Sequence, residues 1–450
     1  MLTADCQLNA LFCNAKTILL EYLLFVGYLI LFSWLVTKTR FFTATGLSKP
    51  QLVIIFLLKV IVGIFYGWMG LYYGVHAKMA DTWFYHRLSI TEFQLLSSDP
   101  KEYLTNLFHN PYTGSGVQNF LGSSDSYWND LKSNFFIKIL SIFDIFSFGH
   151  YYVNVIFFSF ISLIGPIALY RVMSDVFPGR KIPVLLATFF VPSFFYWTSG
   201  VHKEGLLFLG ICLVIYHIYF AYKEKKFGIN RIVGILAGLL LLFILRNFLI
   251  IIIIPAILAW ILANRFPKHT LACFLGVYVF FGILFFTLRY ADARLDFPQA
   301  VVNKQQAFIK LGGRSSVPIK QLEPSAFSFL INTPQAFTLS VMRPYPSDIR
   351  HLLSLAAALE IVLLLSFFII SLIWRKKNIA TSKSTVLFCI FFSLSLLMAI
   401  GFSVNILGAI VRYRSIMIPL LTVLIAAQTD WKRVGQLITS SIKNNNNIKN

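Results

Sequence analysis

The feature that most constrains this chain is the recurrence of runs of about 18 or more apolar residues along its length. Each run can cross a hydrocarbon core about 30 Å thick at a helical rise of about 1.5 Å per residue. Since lipid offers the backbone no hydrogen-bond partners, such runs cross as helices. The composition agrees: 57% of the 450 residues are hydrophobic and 13% are charged, which excludes an ordinary soluble domain.

The apolar runs predict an all-α polytopic membrane protein with about eleven transmembrane helices and two large extracytoplasmic loops. Residues 1–450 form a single integral membrane domain in this interpretation. The first outer loop, 71–150, carries amphipathic helices, the second covers 289–350, and 436–450 is a flexible cytoplasmic tail. Whether 232–262 crosses once or twice stays open. The predicted spans are 17–36, 51–70, 151–170, 182–200, 205–222, 232–245, 248–262, 270–288, 351–374, 384–404 and 410–427.

Lysine and arginine in the short connections set the predicted orientation, because short cationic loops are retained on the cytoplasmic side. With every predicted span crossing, all basic short connections fall on one face and both long loops lie outside. The net charge of +21 then reflects topology and a basic second outer loop, so we expect no nucleic-acid partner. The expected location is a bacterial inner membrane, with the bilayer as a partner. The basic short connections contain Lys38, Arg40, Lys49, Arg171, Arg180, Lys181, Lys223, Lys225, Lys226, Arg231, Arg265, Lys268, Arg375, Lys376, Lys377, Lys383, Lys432 and Arg433.

The first outer loop contains "ADTWFYHRLS", in which an acid follows shortly after a span. If a helix begins here, Asp81 and Tyr85 are one turn apart and share a face. Asp81 is therefore a candidate catalytic base, and Tyr85 and His86 are candidate substrate contacts. The structural alternative is that Asp81 only caps the helix, which aspartate does well.

The turn "PSFFYWTSGVHKEG" puts charged residues between two apolar runs at the predicted outer interface. In a functional interpretation, Lys203 holds a lipid phosphate while Glu204 orients that phosphate or an acceptor. In a structural one, Glu204 stands in the first turn of the next helix, favoured by the helix dipole, and Lys203 snorkels to water.

Together with "MRPYPSDIRHLLSLAAALE" and "RYRSIMIPLL" near the last spans, these segments resemble the GT-C superfamily of integral membrane glycosyltransferases. The resemblance implies a polyprenyl-phosphate-linked sugar as donor, and a glycan, lipid or protein as acceptor. It also implies an extracytoplasmic active site, with an acid of the first outer loop as base or metal ligand. A divalent metal, Mg or Mn, is thus one implied cofactor, although Asp81 lacks the second adjacent acid that many members carry. Donor sugar, acceptor and linkage are not predicted.

Sugar transfer from a lipid phosphate needs a base for the acceptor proton and cations for the departing phosphate. Arginine suits phosphate through its forked donors, whereas lysine acts as a point charge. Arg412 and Arg414 are two positions apart, so on a helix they point roughly 200° apart and only one is expected to bind the phosphate. The predicted cationic clamp comprises Lys203, Arg246, Arg343 and either Arg412 or Arg414.

Two other function classes stay open. A polysaccharide polymerase or ligase that uses undecaprenyl-diphosphate-linked glycan shares the layout but relies on Arg and His instead of a carboxylate base. A secondary transporter or lipid flippase would use the intramembrane charges Glu21, Lys59 and Glu360. We expect Lys59 to form a structural ion pair with Glu360 or Glu21. We also expect no internal repeat and no paired broken helices, which disfavours transport.

Overall fold

The computed structural model describes residues 2–73, 81–114, 116–122, 126–376 and 381–436, with side chains from residue 19 onward. Lys377 and almost all of the predicted tail lie outside these ranges. The described part of the chain is helical and contains no β-strand. Its α-helices are α1 (Leu2–Lys38), α2 (Arg40–Thr43), α3 (Lys49–Tyr72), α4 (Asp81–Ser98), α5 (Pro100–Thr105), α6 (Val117–Leu121), α7 (Tyr127–Ser147), α8 (Tyr151–Val176), α9 (Lys181–Phe189), α10 (Pro192–Ser199), α11 (Lys203–Lys223), α12 (Ile229–Leu245), α13 (Phe248–Arg265), α14 (Thr270–Ala291), α15 (Phe297–Leu311), α16 (Ala326–Phe337), α17 (Leu352–Ile373), α18 (Lys383–Ser403), α19 (Leu407–Ser415) and α20 (Ile418–Gln428).

Polar caps start several of these helices where the chain leaves a loop. Ser48 accepts a hydrogen bond from the backbone N–H of Gln51, and the Gln51 side chain accepts one from the N–H of Ser48. Ser126 caps α7 and Asp296 caps α15 in the outer loops. Each cap satisfies backbone donors that the first turn of a helix leaves unpaired.

Every predicted span coincides with helical structure, which confirms the all-α polytopic membrane fold. Among the described residues, eight helices are long and apolar enough to cross a membrane, or up to ten if each of two bent pairs is one span. The remaining predicted span, 232–245, is α12. Its 17 residues extend about 26 Å, which is shorter than a core of about 30 Å. The chain breaks at Arg246, so 232–262 forms two helices, α12 and α13.

Two predicted spans are bent helix pairs. α9 and α10 meet at 55°, and α19 and α20 meet at 59°. Pro192 and Pro419 stand in the first turn of the second helix of each pair, where a missing N–H and a fixed φ suit a new helix. α9 packs on α20 and α10 on α19, so the pairs run antiparallel. The expectation of no paired broken helices is therefore wrong. The sequence did not reveal the breaks, because hydropathy stays continuous across each of them. One argument against a transporter is therefore lost.

α8 and α11 form the centre of the bundle, whereas α1 and α14 lie at its edge. In the apolar windows of α8 and α11, 72% and 78% of residues are buried, compared with 6% in each edge helix. Leucine, valine and phenylalanine on the outer surfaces of the edge helices suit contact with hydrocarbon. Lys203 is therefore the first residue of one of the two most enclosed helices.

Two of the three intramembrane charges, Lys59 and Glu360, find backbone partners, whereas Glu21 lies 3.6 Å from the His150 ring. Lys59 Nζ donates to the carbonyl of Thr198 at 2.7 Å. Glu360 accepts a 2.8 Å hydrogen bond from the backbone N–H of Ser193, near the start of α10. The expected ion pair between Lys59 and Glu360 or Glu21 is therefore wrong. The physical reason is that the ends of the short helix α10 expose unpaired carbonyl and N–H groups, which serve as partners inside the membrane.

Candidate functional site

Three segments far apart in the sequence meet at one end of the bundle: the first residue of α4, the 200–204 connection into α11, and the last turn of α19. Arg412 Nη1 lies 3.0 Å from Asp81 Oδ2. His202 Nε2 lies 3.8 Å from the same oxygen. The Asp81 side chain is 50% exposed, so this carboxylate is both ion-paired and open to water.

Glu204 forms the buried counterpart of Asp81. Its side chain is completely buried, and Oε1 accepts a 2.9 Å hydrogen bond from Arg246 Nη2. Arg412 Nε lies 3.6 Å from the same oxygen, and His202 Nδ1 is hydrogen-bonded to Oε2. A buried carboxylate needs such partners, because burial without them is costly. We call Asp81, His202, Glu204, Arg246 and Arg412 the outer charge cluster.

Aromatic rings hold the 200–204 connection in place. A Cβ atom on Gly200 would lie 2.2 Å from the Tyr66 ring, so only glycine permits this approach to α3. The His202 ring centroid lies 6.4 Å from those of Tyr66 and Trp197 and 6.2 Å from that of Tyr85. These rings limit the movement of the imidazole between the two carboxylates.

Tyr413 separates the two guanidinium groups of the cluster. Its ring centroid lies 4.2 Å from Arg246 Cζ and 5.1 Å from Arg412 Cζ. Arg412 Cζ also lies 5.8 Å from the Trp197 ring. Cation–π contacts of this kind hold a guanidinium in position while leaving its N–H groups available to an anion.

Three lysines extend the positive charge beyond the cluster, and we call Lys132, Lys203 and Lys304 the lysine group. Lys203 Nζ lies 3.3 Å from Ser133 Oγ and 4.8 Å from the Tyr85 ring centroid. The pKa of Lys132 is lowered to about 7, mainly by burial and in addition by the charges of Lys304, Lys203 and Arg246. Burial likewise lowers the pKa of Lys304. Such mutual repulsion indicates a place that an anion would stabilise.

The sequence did not single out His202, Lys132, Lys304 or Tyr413 as site residues. The two lysines occur in "YWNDLKSNFF" and "PQAVVNKQQAF", where nothing distinguishes them from other loop lysines. Only the packing of α7 and α15 beside the cluster identifies them. Among the described residues, the cluster and the lysine group together hold two carboxylates and five basic side chains, namely Lys132, Lys203, Arg246, Lys304 and Arg412.

The acid–base state of Asp81 follows from its neighbours. Its pKa is lowered to about 2, mainly by His202, against the effect of burial, and then by the positive charge of Arg412. Tyr85, one turn along α4, has its pKa raised to about 12 by burial and by the Asp81 charge. Asp81 is therefore an ionised carboxylate and Tyr85 a neutral phenol at physiological pH.

Two predicted clamp residues lie outside the cluster. Arg414 is buried, and its Nη1 donates to the carbonyls of Ser340 at 3.1 Å and Arg343 at 2.5 Å. The Arg343 guanidinium lies 3.4 Å from the Asp348 carboxylate. Both arginines thus brace the second outer loop, and of the "RYR" pair it is Arg412 that lies beside Asp81. This is the separation that helical geometry requires of residues two apart.

His86 also lies apart from the cluster. It is buried, with its ring centroid 5.2 Å from that of Tyr151 and 5.8 Å from that of Trp83. Burial lowers its pKa, although the charge of Asp144 opposes this effect. Because His86 follows Tyr85 on α4, its side chain points to a different face of the helix, towards the interior. The sequence could not distinguish these two faces.

The cluster does not fit a divalent metal. Among the described residues no group of three or more His, Cys, Asp or Glu side chains is arranged to hold one. The carboxylates of Asp81 and Glu204 are engaged by guanidinium groups, whose positive charge opposes a second cation.

Comparison with known proteins finds no match to this chain among protein-family models, curated proteins or solved structures.

Proposed function

We propose that the chain is a membrane glycosyltransferase that moves a sugar from a polyprenyl-phosphate donor to an extracytoplasmic glycan, lipid or protein acceptor. The observation that carries the proposal is the ion pair of Asp81 with Arg412 beside an excess of cations. A proton acceptor and a binding place for phosphate thus lie within one side-chain length of each other. Both are needed in the same step of this reaction.

In the proposed step, the acceptor hydroxyl gives its proton to Asp81 while the acceptor oxygen bonds to the anomeric carbon of the sugar. The bond from that carbon to the phosphate oxygen breaks, and the polyprenyl phosphate leaves with the electron pair. Arg412, Arg246 and Lys203 stabilise the negative charge that develops on the phosphate.

Arg412 couples donor binding to the base. While His202 and Arg412 both contact Asp81, its lowered pKa makes the carboxylate a weak proton acceptor. A donor phosphate that competes for Arg412 weakens this ion pair and raises the basicity of Asp81. Glu204 keeps Arg246 and His202 in position throughout, because it is buried and bonded to both.

Replacement of Asp81 by asparagine tests the proposal. Loss of a catalytic base costs about a hundredfold to ten-thousandfold in rate. A strain that lacks the gene, complemented with each variant, should therefore lose one envelope glycan by mass spectrometry with Asp81→Asn. The matched control is Asp130→Asn in the same outer loop, where the carboxylate accepts a 2.9 Å hydrogen bond from Tyr112. Full glycan with correctly inserted Asp81→Asn would overturn the proposal.

A polysaccharide polymerase or ligase is the second candidate, and the lysine group favours it. Two lysines in addition to the predicted clamp suit a diphosphate, which carries more negative charge than a monophosphate. Such an enzyme relies on Arg and His, so His202→Asn and Arg412→Gln should abolish polymer formation while Asp81→Asn leaves it intact. Loss of the product with Asp81→Asn as well supports the carboxylate base instead.

The proposal places the cluster on the extracytoplasmic face of a bacterial inner membrane, on the charge distribution of the short loops. Cysteine labelling tests this. Lys101, near the start of α5, and Lys225, after α11, are both exposed and suit labelling, whereas Ser126 is buried. Cysteine at position 101 should react with an impermeant reagent in intact cells, and cysteine at 225 only after permeabilisation. Reaction of both in intact cells contradicts the orientation.

A further inference from the structure

A cavity of about 620 Å³ opens between helices at the other end of α11 from the outer charge cluster. Tyr216 in its wall lies about 20 Å along α11 from Lys203, at about 1.5 Å per residue. The volume falls within the range of about 300–1,000 Å³ that is typical of ligand pockets. We call it the inner cavity, and its lining includes Phe41, Ile164, Leu213, Tyr216, His217 and Arg231.

Two guanidinium groups contact the aromatic wall of the inner cavity. Arg171 Cζ lies 4.9 Å from the Tyr216 ring centroid and 5.3 Å from that of Phe41. Arg231 Cζ lies 5.6 Å from the Tyr216 ring. Arg231 also pairs with the exposed Glu224 at 2.8 Å, but no carboxylate pairs with Arg171 in the described part of the chain. Arg171 thus adds, behind the aromatic wall, a positive charge with which no described carboxylate pairs.

The imidazole of His217 adds an unused hydrogen-bonding group. Its Nδ1 is buried and has no hydrogen-bond partner among the described residues. A Cβ atom on Gly234 of α12 would lie 2.1 Å from His217 Nε2, so α12 passes directly against the ring and holds it at the cavity. Buried polar atoms normally have a partner, and a ligand would supply one.

We propose that the inner cavity binds an anionic glycerophospholipid of the leaflet opposite to the outer charge cluster. An acyl chain lies against Phe41, Ile164 and Leu213, and the phosphate lies between Arg171 and Arg231. Basic pockets between membrane helices are known to suit anionic headgroups. This site is independent of the proposed glycosyl transfer.

The distribution of polar and apolar groups favours a lipid over a soluble anion. The apolar lining comes from α2, α8 and α11 within the bundle, whereas Arg231 lies near the start of α12 and Arg171 towards the end of α8. The charges are therefore at the level where helices leave the hydrocarbon. A soluble anion would leave the apolar part of the cavity hydrated, whereas an amphiphile fills both parts.

Native mass spectrometry of the purified full-length protein tests the proposal, with phosphatidylglycerol and phosphatidylcholine as the added lipids. Phosphatidylglycerol should bind more tightly. Arg231→Gln and Arg171→Gln should each weaken its binding about fivefold, since one basic side chain contributes about that factor to anionic-lipid affinity. Arg265→Gln is the matched control, because this exposed arginine on the same predicted face does not line the cavity.

Leu213→Trp provides a second test that keeps both arginines. The larger ring fills the apolar part of the inner cavity, so bound phosphatidylglycerol should be lost. Three results would each overturn the proposal: equal binding of the two lipids, equal weakening by Arg265→Gln, or unchanged phosphatidylglycerol binding in a folded Leu213→Trp protein. Displacement of phosphatidylglycerol by equimolar polyprenyl phosphate would also overturn it, because the cavity would then be a donor site.

Discussion

The outer charge cluster and the intramembrane charges solve the same electrostatic problem in different ways. Lys59 and Glu360 are buried, and each is bonded to a backbone group at one end of α10. In the cluster, side chains face side chains, as in the contact of Asp81 with Arg412 and of Glu204 with Arg246. A backbone dipole cannot be displaced by a ligand without disturbing a helix, whereas an ion pair can exchange its partner. Position and partner type therefore separate structural charge from charge that is available for chemistry.

The same contrast exists between two arginines two residues apart. Arg414 is completely enclosed and bonded to the carbonyls of Ser340 and Arg343, so it fastens the second outer loop to α19. Arg412 faces Asp81 and is partly open to solvent. Substituting each arginine by itself tests the distinction.

Glu204→Gln should give the largest effect on stability. Removal of this buried carboxylate leaves Arg246, and in part Arg412, without a counter-ion, and breaking a buried ion pair in this way costs about 3–5 kcal/mol. Thermal unfolding in detergent should show a large loss. The control Glu224→Gln removes an exposed ion pair and should cost about 1 kcal/mol or less. Equal unfolding temperatures for the two variants would contradict the structural role of Glu204.

Arg412→Gln and Arg414→Gln should separate activity from stability. Loss of one charge-stabilising donor lowers the rate by about a hundredfold to a thousandfold, and this is expected for Arg412→Gln with little change in unfolding temperature. Arg414→Gln should lower the unfolding temperature, because two buried carbonyls lose their partner. Glycan formation and thermal unfolding are measured on both. An Arg414→Gln protein that is stable but inactive would indicate that Arg414, and not Arg412, binds the phosphate.

Lys59→Met should have a small effect. Among the described residues the lysine has only hydroxyl and carbonyl partners. An apolar side chain of similar length suits the site, so a change of about 1 kcal/mol is expected. Glycan formation should be unchanged. A Lys59→Met protein that folds fully but forms no glycan would show that this charge belongs to a proton or ion pathway.

The sequence anticipated much of the fold, because apolar runs alone dictate membrane helices. The sequence also predicted that one face of the membrane holds all five of Asp81, Lys203, Glu204, Arg246 and Arg412, because the charges of the short loops set the orientation of the spans. It failed where partners are backbone groups, as for Lys59, whose acceptor exists only because α10 is a short helix with a free end. Hydropathy cannot detect a bend that leaves the apolar pattern continuous. Nor could it identify the lysine group, which depends on how α7 and α15 pack beside the cluster.

The ionisation of Asp81 should have the smallest effect on stability and activity near neutral pH. Its pKa is lowered from 3.8 to about 2, so the stability that its ion pair with Arg412 contributes is present above pH 3.8 and is lost as pH falls towards 2. Between pH 4 and 7, wild-type kcat/KM should therefore show no acid limb from this group.

Arg412→Gln removes one of the two positive influences on that carboxylate, and His202 remains. The acid limb of its residual activity should therefore move up from about 2 towards the ordinary value of 3.8 without passing it. The Lys432→Gln variant, altered near the C-terminus on the predicted cytoplasmic face, serves as control and should keep the wild-type profile. An acid limb near pH 6 in the wild type, lost in His202→Asn, would transfer the role of base from Asp81 to His202. In that case Asp81 would be a structural charge like Lys59 and Glu360, although it is half exposed and ion-paired to a side chain.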